Sequence, residues 1–410
     1  PQISNTENKE SNNYMKSFRQ LGVADAVVEA LARRGVEAPF AIQTLVIPDG
    51  LNGQDLLAKS PTGSGKTLAF AIPIVQRLHG ADARPSALIL VPTRELATQV
   101  AEEFAPLAAA QGLRVAAVYG GTPLAANAKK AKEAHIVVAT PGRLEDLAER
   151  KLLPLDGIKI LVLDEADRML DMGFQPQVDA IVKRLPRKRQ TMFFSATLDG
   201  EVGELARSYT FNPSRYDAEL PAHLESGETD HHFISVTPDN KVETLVELLR
   251  KERGLVLVFT RTKRGADRLV QKLKRHEIQA VAMHGDMSQN ARERALSRFE
   301  SGKVQTLVAT DVAARGLDLD DITHVINFDP PSDDKGYTHR VGRTARAGRD
   351  GTGITLVLPE QQAEVSHVAR KVGESAQFEA QGMQMARPRL VYSGTRRSHK
   401  WGAKRPRRKI

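Results

Sequence analysis

Ser60-Pro61-Thr62-Gly63-Ser64-Gly65-Lys66-Thr67 stands between an aliphatic run at residues 55–60 and a stretch at 68–78 whose apolar spacing is helical. Between a strand and a helix this string has a mechanical meaning. Gly63 and Gly65 let the backbone turn so that successive N–H groups converge on one anion, with Thr62 and Ser64 completing the cradle. The following helix directs the positive end of its dipole to the same place. Lys66 can then reach the β- and γ-phosphates of a nucleotide, and the Thr67 hydroxyl suits Mg²⁺. Ser60 stands where such loops usually begin with glycine. A glycine-rich turn with no ligand would look the same in isolation, so its weight comes from what surrounds it.

Outward from the loop, short aliphatic runs alternate with amphipathic helical stretches from about Phe18 to Phe211. Strands are expected at 55–60, 87–91, 114–119, 135–139, 159–163 and 191–194, with a helix at 95–110. Continuous Val/Ile/Leu runs predict parallel strands covered on both faces, joined by right-handed crossovers. A second array follows, with strands at 254–259, 279–283, 306–309, 324–328 and 353–358 and helices at 263–275 and 288–300, the latter capped by Ser288. The polar stretch between the arrays contains Pro213, Pro221 and Gly227 and reads as a linker. The expected organisation is an N-terminal extension at 1–17, a first domain at 18–212, a linker at 213–230, a second domain at 231–375 and a disordered basic tail at 376–410. The fold class is α/β: two tandem domains, each a mostly parallel sheet with helices on both faces.

Nearly every expected strand ends in a polar or glycine-rich cluster. Ligands of open α/β sheets bind at the carboxyl ends of their strands, so two such sheets predict one composite site between them. Asp164-Glu165-Ala166-Asp167 follows the run at 159–163. A carboxylate at a strand end beside a phosphate loop is a usual Mg²⁺ anchor, which assigns Asp164. Glu165 is next in line to orient and deprotonate an attacking water. Phosphoryl transfer also requires cations beyond the γ-phosphate. In His339-Arg340-Val341-Gly342-Arg343-Thr344-Ala345-Arg346, a helical conformation would put Arg343 and Arg346 on one face, as arginine fingers that act when the domains close.

The chain has 410 residues, a net charge of +9 and no cysteine. Disulfides and thiolate metal sites are thereby excluded. No apolar run is long enough to span a bilayer, and a cytoplasmic monomer with no membrane contact is expected. Ten Lys or Arg residues and no acid lie between Arg387 and Lys409, leaving the remainder near −1. Such a tail suits a polyphosphate and also suits plain solvation. Trp401 within it is placed either to stack on a base or simply to lie in solvent.

These ordered motifs resemble the DEAD-box RNA helicases of superfamily 2 over residues 18–358. Besides Asp164-Glu165-Ala166-Asp167, the match includes Pro92-Thr93-Arg94-Glu95-Leu96-Ala97, Thr140-Pro141-Gly142-Arg143, Ser195-Ala196-Thr197 and 339–346. The resemblance implies two RecA-like domains that couple ATP–Mg²⁺ hydrolysis to local unwinding or remodelling of RNA or RNA–protein complexes. It implies that Phe18 and Gln43 read the adenine, and that Gly316 and Asp318 sense ATP and its ribose. Arg94, Gly121, Thr140 and Arg143 of the first domain resemble RNA-backbone contacts, as do Arg261, Gln289, Arg292, Thr310 and Asp311 of the second. Ser195, Thr197, Asp167 and His339 resemble the elements that couple hydrolysis to RNA opening. The departures are Phe40 for a common Thr, Ala345 for a common Gly, and Ser60-Pro61 before the phosphate loop. None removes a charged or phosphate-binding group. The alternatives are a DNA translocase of the same superfamily, a non-catalytic RNA clamp, and a core ATPase whose tail does the binding; partners in ribonucleoproteins would be met through that tail.

Overall fold

The computed structural model describes residues 16–61, 63–218, 227–251, 254–314, 319, 321–331, 333–345 and 349–386. Thr62, Gly316, Asp318 and Arg346 lie outside the described residues, as do 1–15, residues 219–226 of the expected linker and the tail from Arg387. Among the described residues, seven strands form a first sheet: β1 (Leu56–Lys59), β2 (Ala87–Leu90), β3 (Val115–Val118), β4 (Ile136–Ala139), β5 (Ile160–Leu163), β6 (Gln190–Ser195) and β7 (Ser214–Asp217). Six form a second: β8 (Thr229–Ser235), β9 (Leu255–Phe259), β10 (Ala280–Met283), β11 (Thr306–Ala309), β12 (Ile322–Asn327) and β13 (Gly351–Val357). The orders are β3-β4-β2-β5-β6-β1-β7 and β10-β11-β9-β12-β13-β8. Every paired strand in both sheets is parallel. All carboxyl ends in a sheet therefore share one edge.

The unbroken aliphatic runs have a direct physical explanation. Successive strand residues point to opposite faces. Leu56, Ala58, Ala87, Ile89, Ile136, Val138, Ile160 and Val162 enter one core, while Leu57, Leu88, Leu90, Val137, Leu161 and Leu163 enter another on the far side. The second sheet repeats the division, with Leu257, Phe259 and Leu307 on one face and Val256, Val258 and Val308 on the other. Both faces are dry, so no alternation survives in the letters.

Three sequence expectations need correction. The linker does not begin at residue 213: β7 pairs with β1, from Leu56↔Ser214 to Lys59↔Asp217. Its pattern alternates half-buried and exposed residues because it is an edge strand, so the continuous-run criterion passed over it. The tail does not begin at 376. Helix Ser375–Ala380 buries Phe378 completely, and the Gln377 amide donates to the Phe233 carbonyl at 3.0 Å and accepts from its N–H at 3.1 Å. That amide covers part of edge strand β8, which would otherwise expose unpaired backbone. Finally, the helical conformation considered for 339–346 stops early: helix Asp334–Val341 is capped by Gly342, and Arg343 lies in the following turn. Arg343 is therefore not on a continuous helix toward Arg346. The helix Gln289–Glu300 does have its expected cap, with the Ser288 hydroxyl accepting from the Ala291 N–H at 3.3 Å.

Candidate functional site

Backbone ladders run past the strand ends and set the motifs side by side. The Ser60 N–H donates to the Ser195 carbonyl, Asp164 to Leu90, Val91 to Ala139 and Thr140 to Val118. The phosphate loop, the acidic turn and the Ser195 turn thus share one edge. Gly63 and Gly65 adopt φ of +82° and +83°, the left-handed region in which glycine is unstrained. Gly65 also has a packing reason: a Cβ there would lie 2.5 Å from both Gln43 Nε2 and Phe40 Cδ2. Helix Lys66–Arg77 begins at once, aiming its free N–H groups into the loop.

Lys66 is buried, and its ammonium donates to the Ser60 and Pro61 carbonyls at 2.9 Å each. The Ser64 hydroxyl donates to the Pro61 carbonyl at 2.8 Å and pairs with the Ser60 hydroxyl. Gln43 is 1 % exposed and spans two elements: its carbonyl accepts from the Phe40 N–H at 2.9 Å, and its amide donates to the Gly65 carbonyl at 3.0 Å. One N–H and one lone pair of that amide are left for a base edge. Phe18 is different. It is 1 % exposed and belongs to the core containing Leu31 and Ile42, so the expected stacking face is covered by protein.

Asp164 is buried, and burial raises its carboxyl pKa to about 7. The charges of Glu165 and Asp167 add to the rise; Lys66 and the Glu165 N–H, donating at 3.0 Å, oppose it. Glu165 has a φ of +52°, uncommon for a side chain with a Cβ, and one carboxylate oxygen sits 2.6 Å from an Arg168 guanidinium nitrogen. The Ser195 hydroxyl is fully buried and lies 3.4 Å from the N–H groups of both Asp167 and Thr197, linking the acidic turn to the next strand end.

A cavity of about 250 Å³ joins the two sheets. Arg168 and Asp171 contribute from the first; Asp311, His339, Arg340 and Arg343 are among those from the second. Arg343 is buried. Arg340, which sequence reasoning gave no role, is the structural member of its motif. It makes a two-pronged pair with Asp311 at 2.6 and 2.7 Å, donates to the Asp329 carbonyl at 2.6 Å, and lies 4.9 Å from the Phe259 ring centroid. Asp311, expected at RNA, is thus bonded to the second sheet's own arginine. Asp329 was also missed. It receives Lys241 at 2.9 Å and the Arg261 N–H at 2.9 Å, and the signal was present: a polar residue just past β12.

The other side of the cleft is basic. Burial, and then the charges of Arg292 and Arg143, hold the Arg94 guanidinium below its usual range. Three cations from both domains therefore share one field. Arg143 also donates to the Thr122 carbonyl at 2.9 Å. A Cβ on Gly121 would come within 2.4 Å of an Arg94 guanidinium nitrogen. Glu95, another residue without an expected role, pairs across the cleft with Arg292 at 2.7 Å, both side chains being about nine-tenths buried. Two second-domain residues carry buried polar atoms without protein partners, the Thr260 hydroxyl just past β9 and the Gln289 carbonyl one helical turn before Arg292. Such atoms are rare in native folds and call for a partner. Thr140 and Thr310 are buried, whereas the Arg261 side chain is exposed.

The chain matches the DEAD/DEAH box helicase family over residues 40–205 and the helicase conserved C-terminal domain over 240–348. It is 38% identical to the DEAD-box ATP-dependent RNA helicase CshA of Geobacillus kaustophilus over 358 residues, 87% of this chain and 76% of that protein. It is 42% identical to the ATP-dependent rRNA helicase RRP3 of Yarrowia lipolytica over 358 residues, 86% of this chain and 74% of that one. The solved structure of S. cerevisiae Dbp5 bound to RNA and ADP BeF3 superposes with a TM-score of 0.76 at 31% identity, covering 91% of this chain and 95% of that one.

Proposed function

Since the chain belongs to the DEAD-box family of ATP-dependent RNA helicases, enzymes whose ATP hydrolysis depends on RNA, we propose how its residues divide that work. ATP occupies the Lys66 side of the cleft, single-stranded RNA occupies the Arg94 side, and the two together hold the sheets closed. The observation that carries this is the shared cleft: both sheets line the cavity beside Arg343, and the Glu95–Arg292 pair bridges them beside the basic field. Superposition with RNA-bound Dbp5 over 91% of the chain supports a closed arrangement, because both sheets must overlay together.

On the nucleotide side, arriving phosphates would replace the Ser60 and Pro61 carbonyls as partners of Lys66. Gln43 reads the adenine edge, and Phe18 supports that segment from the core. Thr67 and Asp164 fit Mg²⁺, which takes one or two carboxylates plus substrate phosphates, and the burial that disfavours ionised Asp164 is relieved by a cation. That ion would supply charge neutralisation at the phosphates. Glu165 deprotonates the water, and Arg343, with Arg346, stabilises the transferring phosphoryl group. Ser195, Thr197, Asp167 and His339 carry the coupling between the strand ends and the cleft.

On the RNA side, Arg94, Gly121, Thr140, Arg143, Gln289, Arg292 and Thr310 meet the backbone, with the exposed Arg261 at the rim. Asp311 acts indirectly, by fixing Arg340. Backbone contacts carry no sequence information, so target choice falls to the basic tail and to ribonucleoprotein partners in the cytoplasm.

Hydrolysis measured with matched RNA and DNA single strands tests the assignment. RNA should stimulate turnover, ATP and RNA should each tighten the other's binding by about 5- to 150-fold, the range of ordinary coupling energies, and DNA should do neither. Equal stimulation by DNA would point to the DNA translocase; indifference to both would sink the proposal. Truncation after Ala386, which spares the buried Met383, should leave unwinding intact while weakening RNA affinity.

A further inference from the structure

The structure assigns Arg168 as the positioning residue of the base, an inference that rests on Glu165 having that role. Glu165 opens the short helix Ala166–Asp171 at φ +52°, and its N–H is bonded to Asp164. Its backbone is thus held, while the side chain beyond Cβ still has staggered rotamers to choose among. Arg168 removes that freedom. It lies three residues on, one helical turn away, and holds one carboxylate oxygen at 2.6 Å. The two side chains are 15% and 9% exposed, so water competes little for either.

With one oxygen held, the other is free to take a proton. In the step proposed, the water oxygen bonds to the γ-phosphorus and the water proton passes to the free Glu165 oxygen. The bond from phosphorus to the bridging oxygen breaks, and its electron pair leaves with ADP. Arg168 touches neither water nor nucleotide in this scheme and acts only through Glu165. It also lines the interdomain cavity opposite Asp311 and Arg343, so the base is held from the same surface against which the second domain closes.

Steady-state and single-turnover hydrolysis at saturating RNA would test this with Arg168→Gln, Arg168→Lys, Glu165→Gln and the double variant Glu165→Gln/Arg168→Gln. Arg168→Gln should lower kcat at least about tenfold, and by no more than the ~10²–10⁴-fold a positioned base supplies, with KM for ATP and RNA affinity unchanged. Arg168→Lys keeps a donor of the same charge and should recover part of the loss. In the Glu165→Gln background, Arg168→Gln should cost nothing further. A wild-type kcat for Arg168→Gln, a change confined to KM, or an additional loss in the double variant would each overturn the assignment. Wild-type turnover by Glu165→Gln would instead remove the base itself, and this proposal with it.

Discussion

A single missing Cβ ties Arg94 to the proposed RNA path. Gly121 has a φ of +90°, and any side chain there would displace the guanidinium at 2.4 Å. Gly121→Ala should therefore weaken RNA binding by about tenfold, one bidentate-scale contact, and leave ADP binding unchanged. Fluorescence anisotropy with labelled RNA and labelled ADP separates the two; an equal loss of both would indicate general damage instead. That the glycines, lysine and carboxylates would gather at the strand ends was legible because their letters follow the aliphatic runs directly. The partners were not. Glu95 and Arg292 are nearly 200 positions apart, and no periodicity pairs them; Phe18 gave no sign that its ring would be packed into the core.

Edge strand β7 shows how an element is held when its own pattern is weak. Asp49, on the helix Ala41–Leu51, accepts from the Tyr216 hydroxyl at 2.6 Å and the Ser214 hydroxyl at 2.7 Å. The Tyr216 bond first, and then the Ser214 bond, lower the Asp49 pKa below 3.8. A folded pKa below the unfolded one gives stability that is present above 3.8 and lost as the pH falls through the lowered value. Tyr216→Phe should cost at most about 1 kcal/mol and speed amide exchange in β7 selectively. Exchange measured on the wild type at decreasing pH should show the same strand loosening first, after correction for intrinsic rates. Uniform change across the sheet would separate Asp49 from β7. Strands buried on both faces were found from their letters, and β7 was not, since edge exposure replaces the aliphatic run with Ser-Arg-Tyr-Asp.

At the level of the whole molecule, Arg292 of the second domain meets Glu95 of the first, and the pair is buried. Removing one partner of a buried pair leaves the other charged and undersolvated, which costs more than the pair is worth. Arg292→Ala should lower the closed population when ATP and RNA are both present, measured as the distance between dyes on the two domains, and reduce RNA-stimulated turnover about tenfold. ATP-independent ADP affinity should not move. An unchanged closed fraction would exclude the pair from closure. What the linear chain settled was local: parallel strands from dry aliphatic runs, a tight turn from glycine spacing, ionisable groups at strand ends. Those depend on neighbours a few positions apart. The meeting of Arg343 with the Arg168 side of the cleft, the burial that lifts Asp164, the basic field of Arg94, Arg143 and Arg292, and the inclusion of β7 and Phe378 in the domains depend on how surfaces distant in sequence desolvate one another. Desolvation is a property of the packed chain, and it exists only once the two sheets are built and set face to face.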